Sequence, residues 1–445
     1  MSNQSQPDLK SLQETVAATL QMTEQQGASS AEASASFNAG LSVTVRMREV
    51  ETLEYHRDQG LGVTVYFGQR KGNANTSDLS EAAIAETVRR ACGMAQYAAE
   101  DDCAGLADPK FLAHDFPELD LYHPWAIEPV AAIELATECE GAALDCDVRI
   151  TNSEGASVAT SSGTRVYGNT HGFLAGYRDS NHSLSCAAIA QSGNEMERDF
   201  DYTLARNADE LESARLIGQR AAERSLQRLG ARKLDTRKAP VLFSPRIARG
   251  FLGHLLSAIS GGSLYRKSTF LPDSVDTQVL ADCVTLDELP HIPGGLASSA
   301  FDAEGVVTRD RRLVDEGVLR GYILSSYYAR KLGLETTGNA GGIHNLVVSN
   351  TGHDFSALLG LLDTGLLVTE VMGQGVNPVT GDYSRGAAGF WVEGGEIQYP
   401  VSEITIAGNL RDMYRHIVAL GTDTDYRGGI RSGSILIEEL TLAGN

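Results

Sequence analysis

The chain has 445 residues, and at about 100 to 200 residues per domain that excludes one small module and suggests two to four domains. Hydrophobic residues make up 42% and charged residues 21%, an ordinary globular composition that excludes wholesale disorder. Lys and Arg number 37 against 58 Asp and Glu, and a net charge of −21 repels phosphate backbones and anionic lipid alike, which excludes nucleic acid as a default partner.

Compartment is read from equally coarse features. The first residues, Met1-Ser-Asn-Gln-Ser-Gln-Pro-Asp8, lack the basic start and apolar core of a signal peptide. Six scattered Cys are too few for a disulfide scaffold and fit a reducing compartment. The most apolar stretch, Phe355 to Met372, is broken by Gly360, Asp363, Gly365 and Glu370, so it is not a membrane span. The expectation is a soluble, cytoplasmic protein with no membrane partner and no direct contact to nucleic acid.

Leu9, Leu12, Val16 and Leu20 recur at helical spacing and predict a first helix ending before Gly27. Leu41, Val43, Val45 and Met47 alternate with polar neighbours, as do Leu61, Val63, Val65 and Phe67, with Val50 to His56 between them, so an antiparallel meander is expected. Asp78 with Glu81 has capping-box spacing ahead of Ile84, Val88, Cys92 and Ala95 on one helical stripe. After a connection carrying Pro109, Pro117, Pro124 and Pro129 come a helix from Val130 to Leu144, many short strand-like segments up to Ala205, and a helix from Glu210 to Leu229. Helix, meander, helix therefore occurs twice, and residues 1–105 and 125–236 read as two repeats within an N-terminal α+β domain, 1–236, alike in pattern and not in residues.

From 237 to 445 the texture changes, with 29 of the 46 glycines lying beyond residue 237. Glycine punctuating runs such as Gly305-Val-Val-Thr308, Glu403-Ile-Thr-Ile-Ala407 and Ser434-Ile-Leu-Ile437 predicts a mostly antiparallel β domain, a curved sheet or barrel with bulges. Its few helices are expected at Arg246–Ile259, Ser325–Lys331 and His353–Leu362. The fold class is thus α+β.

Several motifs fail on inspection. Gly261-Gly-Ser-Leu-Tyr-Arg-Lys-Ser268 has the outline of a phosphate loop, but Arg266 stands where the backbone must wrap the phosphate. Gly373-Gln-Gly-Val-Asn-Pro378 ends in Pro where a dinucleotide fingerprint needs its third Gly. No Gly-x-Ser-x-Gly nucleophile elbow is present. Cys139 with Cys146, His182 with Cys186, and Cys283 with His291 match no usual zinc spacing and read as buried thiols and satisfied imidazoles.

The stretches Arg149-Ile-Thr-Asn-Ser-Glu-Gly155, Gly341-Gly-Ile-His-Asn345, Gly373 to Val392 and Ile397 to Asn409, with the apolar segment Arg249 to Leu271, are far more specific. Over nearly the whole chain the sequence resembles the PmbA (TldE) side of the TldD/PmbA metallopeptidase family, also known as modulators of DNA gyrase. The resemblance implies a two-subunit peptidase acting on unfolded or small peptides, including a peptide-antibiotic precursor and an antitoxin. In it the TldD-like subunit carries the zinc on a His-Glu-x-x-x-His motif and a distal Cys. Matched to this chain, the motif falls on His254, Leu255 and Ile259, and no Cys follows Cys283.

A hydrolytic zinc needs about three protein ligands plus water, so a lone imidazole does not hold it. The missing Glu would also cost the water its general base, typically about 10²- to 10⁴-fold in rate. The expectation is a chain without catalytic residues or metal of its own, paired in a heterodimer with a TldD-like, zinc-bearing subunit, homodimers staying open when that partner is missing. Peptide-cleft candidates are His254, Arg266, Lys267, Asp382, Tyr383 and Arg385, although the same side chains also suit the bracing of glycine-rich loops. Two rivals stand beside this reading: a self-sufficient metallopeptidase using His254 with His291, His344 or His353, and a non-enzymatic binder of gyrase-directed peptides.

Overall fold

The computed structural model describes residues 8–444. Asp8 accepts from the Ser11 amide at 2.7 Å and so caps helix α1 (Leu9–Gln25), which turns Leu12, Val16, Thr19 and Thr23 inward. Strand β1 (Ser30–Arg46) then folds back on β2 (Glu49–Phe67), β3 (Arg70–Thr76) forms a short third strand, and α2 (Glu81–Tyr97) closes the unit. The second unit repeats this order with α3 (Pro129–Leu144), β4 (Ile150–Asn169), β5 (Leu174–Ser192), β6 (Glu195–Ala205) and α4 (Ala214–Gln227).

The two meanders fuse into one antiparallel sheet, ordered β3-β2-β1-β4-β5-β6, in which β1 and β4 run side by side from Glu32↔Asn169 to Val45↔Ala156. Strand alternation gives this sheet two unlike faces. Ala31, Ala33, Ala35 and Phe37 of β1 pack under α1 and α2, and Leu41, Val43 and Val45 of the same strand pack with Val158 and Leu184 under α3 and α4. The opposite face carries Glu32, Ser34, Ser36 and Asn38 of β1 with Arg165 and Tyr167 of β4, and looks toward the C-terminal loops.

The C-terminal region begins with β7 (Arg237–Phe243), α5 (Pro245–Ala258) and α6 (Gly261–Tyr265), followed by β8 (Leu286–Glu288), β9 (Arg311–Asp315), β10 (Val318–Leu319), α7 (Ser326–Leu332), β11 (Leu346–Val348) and α8 (Phe355–Leu362). It continues with β12 (Gly365–Met372), β13 (Asp382–Glu393), β14 (Glu396–Asn409), α9 (Leu410–Arg415), β15 (Ile417–Leu420), β16 (Ile430–Arg431) and β17 (Ile435–Ala443). Strands β14-β13-β12-β7-β17 close into a five-stranded barrel through a β14–β17 pairing, with β15 added outside β17. All its pairings are antiparallel except β7–β12.

A smaller sheet, β10-β9-β8-β11-β16, lies beside it. Phe251, Leu252, Leu255 and Ile259 from the α5 segment share one core with Val241, Phe243, Ile404, Ile406 and Tyr414, and the Tyr414 hydroxyl donates to the Phe251 carbonyl at 2.7 Å. The two regions are tied by ions: Asp201 of β6, fully buried, accepts from Arg224 of α4 at 2.8 Å and from Arg427 of the C-terminal region at 3.0 Å.

The α+β class and the glycine-rich barrel are as the sequence predicts, but several elements differ in detail. Val50–His56 is no separate strand; it belongs to the 19-residue β2, and Met47 lies in the β1–β2 turn at φ 50°. The many short segments after Ile150 are three long strands. Ser80, not Asp78, is the N-cap of α2, and the Asp78 carboxylate instead accepts from the Ser80 amide at 2.9 Å. Cys139 is buried while Cys146 is exposed, so the two share no face.

Candidate functional site

Pro245 opens α5 with its fixed φ, and the spacing of Phe251, Leu252, Leu255 and Leu256 turns the helix into the core. His254 is left at the edge of that apolar stripe. Its ring sits 6.1 Å from the Tyr383 ring, edge to face, and its Nε2 is buried without a hydrogen-bond partner. Burial first, and then the charge of Arg385, hold the imidazole below its usual pKa, so the neutral form is favoured.

Leu255 and Ile259 are both 0% exposed, and the Ile259 amide closes the helix on the Leu255 carbonyl. Neither position offers a donor to an ion, and the charge that acts on His254 is the Arg385 cation. The other candidate imidazoles are engaged elsewhere: His291 Nε2 with Thr308 at 2.9 Å, His344 Nδ1 with Glu288 at 2.8 Å and His353 Nδ1 with Thr351 at 2.9 Å. Among the described residues no three His, Cys, Asp or Glu side chains gather in a way that holds a metal ion. The donor set around His254 therefore does not fit a hydrolytic metal.

Of the six cleft candidates from the sequence, His254, Tyr383 and Arg385 come together. Tyr383 is 2% exposed and burial raises its phenol pKa. Arg266 and Lys267 lie apart, exposed after α6, with Arg266 3.4 Å from the Tyr328 hydroxyl of α7 and Lys267 at φ 55°. Asp382 is exposed and braces the start of β13, accepting from Thr380 Oγ1 at 2.6 Å and Asn409 Nδ2 at 3.2 Å; those bonds keep its carboxyl low.

None of these six lines the large concavity of the molecule, a cleft of about 910 Å³ between the polar face of the sheet and the loops 296–304 and 340–344. Arg206, 8% exposed, ties floor to wall by donating to Asp179, to the Ser180 carbonyl and, at 2.9 Å, to the Leu296 carbonyl. Asp302 turns the 302–306 loop by accepting amides of Glu304, Val306 and Ala340 at 2.9 Å each, and burial, outweighing those bonds, pushes its carboxyl up to about 6. Glu32 accepts from the Tyr167 hydroxyl at 2.8 Å and is also raised by burial.

Gly341 at φ 99° and Gly342 at φ 124° allow a turn that an L side chain would strain. It delivers His344 to the wall of the cleft and Asn345 beneath it, where the Asn345 amide holds the Ala297 amide, Ser298 and the Leu289 carbonyl. Sequence reasoning singled out this glycine-rich run but missed Glu288, which anchors it from 56 residues upstream. Nothing local in the sequence marks that pairing.

A sheet with one helix-covered apolar face and one polar face, set over a cleft and joined to a barrel against which a helix packs, defines an α+β protein with a large, hydroxyl- and amide-rich cavity. Comparison with known proteins gives it a family. The chain belongs to the PmbA/TldA metallopeptidase family, whose domain 1 matches residues 31–95, central domain residues 122–229 and C-terminal domain residues 236–444. It is 51% identical over 435 residues to "Metalloprotease PmbA" of Escherichia coli O157:H7, covering 98% of this chain and 96% of that one. It is 49% identical to the "Metalloprotease PmbA homolog" of Haemophilus influenzae, with 98% and 96% covered.

Among solved structures, a "putative modulator of DNA gyrase" from Bacteroides thetaiotaomicron superposes with a TM-score of 0.92 at 27% identity, covering 97% and 98% of the two chains. TldE of Thermococcus kodakarensis shares the fold, with a TM-score of 0.85 at 20% identity over 97% and 100%. Among the described residues no helix is long and apolar enough to cross a membrane.

Proposed function

We propose that this chain is the metal-free subunit of a two-subunit peptidase, paired with a TldD-like chain that carries the zinc and the catalytic water, and that it works on unfolded peptides in the cytoplasm. The observation that carries the reading is the full burial of Leu255 and Ile259 in the barrel core. Where a hydrolytic helix would present a carboxylate and a second imidazole, this one presents packing.

The chain's own part is binding. The cleft floor offers Ser34, Ser36, Asn38, Thr64, Asn73 and Asn75, short side chains that hydrogen-bond a peptide backbone without selecting for one residue type. His254, Tyr383 and Arg385 form a second, smaller polar group apart from the cleft, where the His254 Nε2 is sealed from solvent.

Native purification tests the reading. A TldD-like chain should accompany this one, all zinc and proteolysis should reside in the pair, and the isolated chain should contain neither. Stoichiometric zinc in the isolated chain, with chelator-sensitive cleavage lost in His254→Ala, would overturn it and favour the self-sufficient peptidase.

A further inference from the structure

We propose that His344 is a ligand-contacting hydrogen-bond acceptor on the cleft wall, fixed in one tautomer by Glu288, and that the group it receives is a primary ammonium on a bound peptide. The inference rests on the peptide-cleft reading above and adds the chemistry of one contact.

Glu288 is 1% exposed and accepts from the His344 amide at 2.9 Å, His344 Nδ1 at 2.8 Å, Arg311 Nε at 2.5 Å and Asn339 Nδ2 at 2.7 Å. Burial alone would raise its carboxyl, but the His344 and Arg311 interactions override that and hold it at about 2. An ionised carboxylate only accepts, so the Nδ1 that faces it carries the hydrogen. Asn339 Nδ2, 3.5 Å from the same nitrogen, is a donor already spent on Glu288 and on the Gly342 carbonyl.

With Nδ1 holding that hydrogen, the nitrogen that carries the lone pair in the neutral tautomer is Nε2. His344 is 8% exposed and lines the cleft, and no described side chain or backbone group bonds Nε2. A buried imidazole with one nitrogen anchored and the other open to a cavity is preorganised to accept a hydrogen bond from whatever fills it.

Charge on the cleft wall selects the donor. Glu32, Asp179, Asp302 and Glu304 line it against Arg165 and Arg206, and Arg206 is already paired with Asp179. The remaining carboxylates outnumber the remaining guanidinium, and a ligand that both donates N–H bonds and brings positive charge answers both features. A primary ammonium does so, from either the α-amino end of a peptide or a lysine side chain.

The test uses the full chain with ¹⁵N-labelled histidine and three probes: penta-alanine with a free amino end, N-acetyl penta-alanine, and the N-acetyl form with one lysine. His344 Nε2 should be unprotonated at pH 8 and should shift with the free-amine probe, with the lysine probe, or with both; which of them binds identifies the source of the ammonium. N-acetyl penta-alanine should bind at least about tenfold more weakly, the worth of one charge-assisted hydrogen bond. His344→Phe should remove the same factor.

A protonated Nε2 in the unaltered chain, N-acetyl penta-alanine binding as tightly as both ammonium probes, or no binding of either ammonium probe overturns the inference. The tautomer measurement decides even if His344→Phe does not fold. Zinc in the isolated chain would overturn the proposed function and leave this contact standing, and probe binding that bypasses His344 would do the reverse.

Discussion

Leu255→Glu places a carboxyl at the position that the family resemblance assigns to a general-base Glu, and the barrel core sets what that costs. Leu255 is 0% exposed and shares its core with Phe251, Ile404 and Tyr414. Losing the buried leucine costs about 2 to 3 kcal/mol. Burying an unpartnered neutral carboxyl adds about 1 to 3 kcal/mol. Ionising it there is harder still, because full burial raises a carboxyl by up to about 3 to 5 pKa units at about 1.4 kcal/mol each.

The sign follows from linkage. The folded-state pKa lies above the unfolded value of about 4.3, so the variant is least penalised below that pH and loses further stability as pH rises toward the folded pKa. The expected cost is about 4 kcal/mol near pH 4 and several kcal/mol more at pH 8. Urea unfolding followed by Trp391 fluorescence in a Trp125→Phe background reports it, since Trp391 is buried in the barrel core. Leu255→Met serves as the volume-conserving control, at less than about 1.5 kcal/mol. A Leu255→Glu chain as stable as the control, with no dependence on pH, would show that the position can host a charged base and would refute the reasoning.

Two further perturbations address the polar contacts. Asp201→Asn leaves Arg224 and Arg427 facing a neutral amide at a fully buried position, and the expected loss is about 3 kcal/mol by urea unfolding; a change under about 1 kcal/mol would show that the junction is held by apolar contacts instead. Arg385→Gln removes the lesser of the two causes that lower His254, so the imidazole pKa rises but stays below about 6.5, as followed by NMR titration. Because the folded pKa is depressed, the parent chain loses stability as pH falls through about 6.5, and the variant should lose less; an unchanged pKa would place the guanidinium away from the ring.

What the sequence made legible follows the packing. Leu41, Val43 and Val45 alternate because one face of β1 lies under helices, and that asymmetry is written into the residues. The first half of β2, Glu49 to Gly60, is almost wholly exposed on both faces, so no alternation could mark it as strand. Strand β3 reads Arg-Lys-Gly-Asn-Ala-Asn-Thr and carries no apolar stripe. Its buried residue is Gly72, where an added Cβ would meet the Ala91 carbonyl of α2 at 2.1 Å, so the signal was a missing side chain.

The site divides in the same way. Leu255 and Ile259 are singled out through the family resemblance, and both are packed in the core. The cleft is assembled from β1 near residue 34, β4 near 165 and loops near 302 and 344, and its floor uses the strand positions that hydrophobic patterning assigns only to the polar side. The imidazole that lines it, His344, depends on a carboxylate 56 residues upstream, at the end of β8. Periodicity reports which face of an element is dry; it carries no information on which wet faces meet. For this fold that distinction decides where function is sought: the helix that carries His254, Leu255 and Ile259 is sealed by packing, and the open, hydrogen-bonding surface lies between the sheet and the loops.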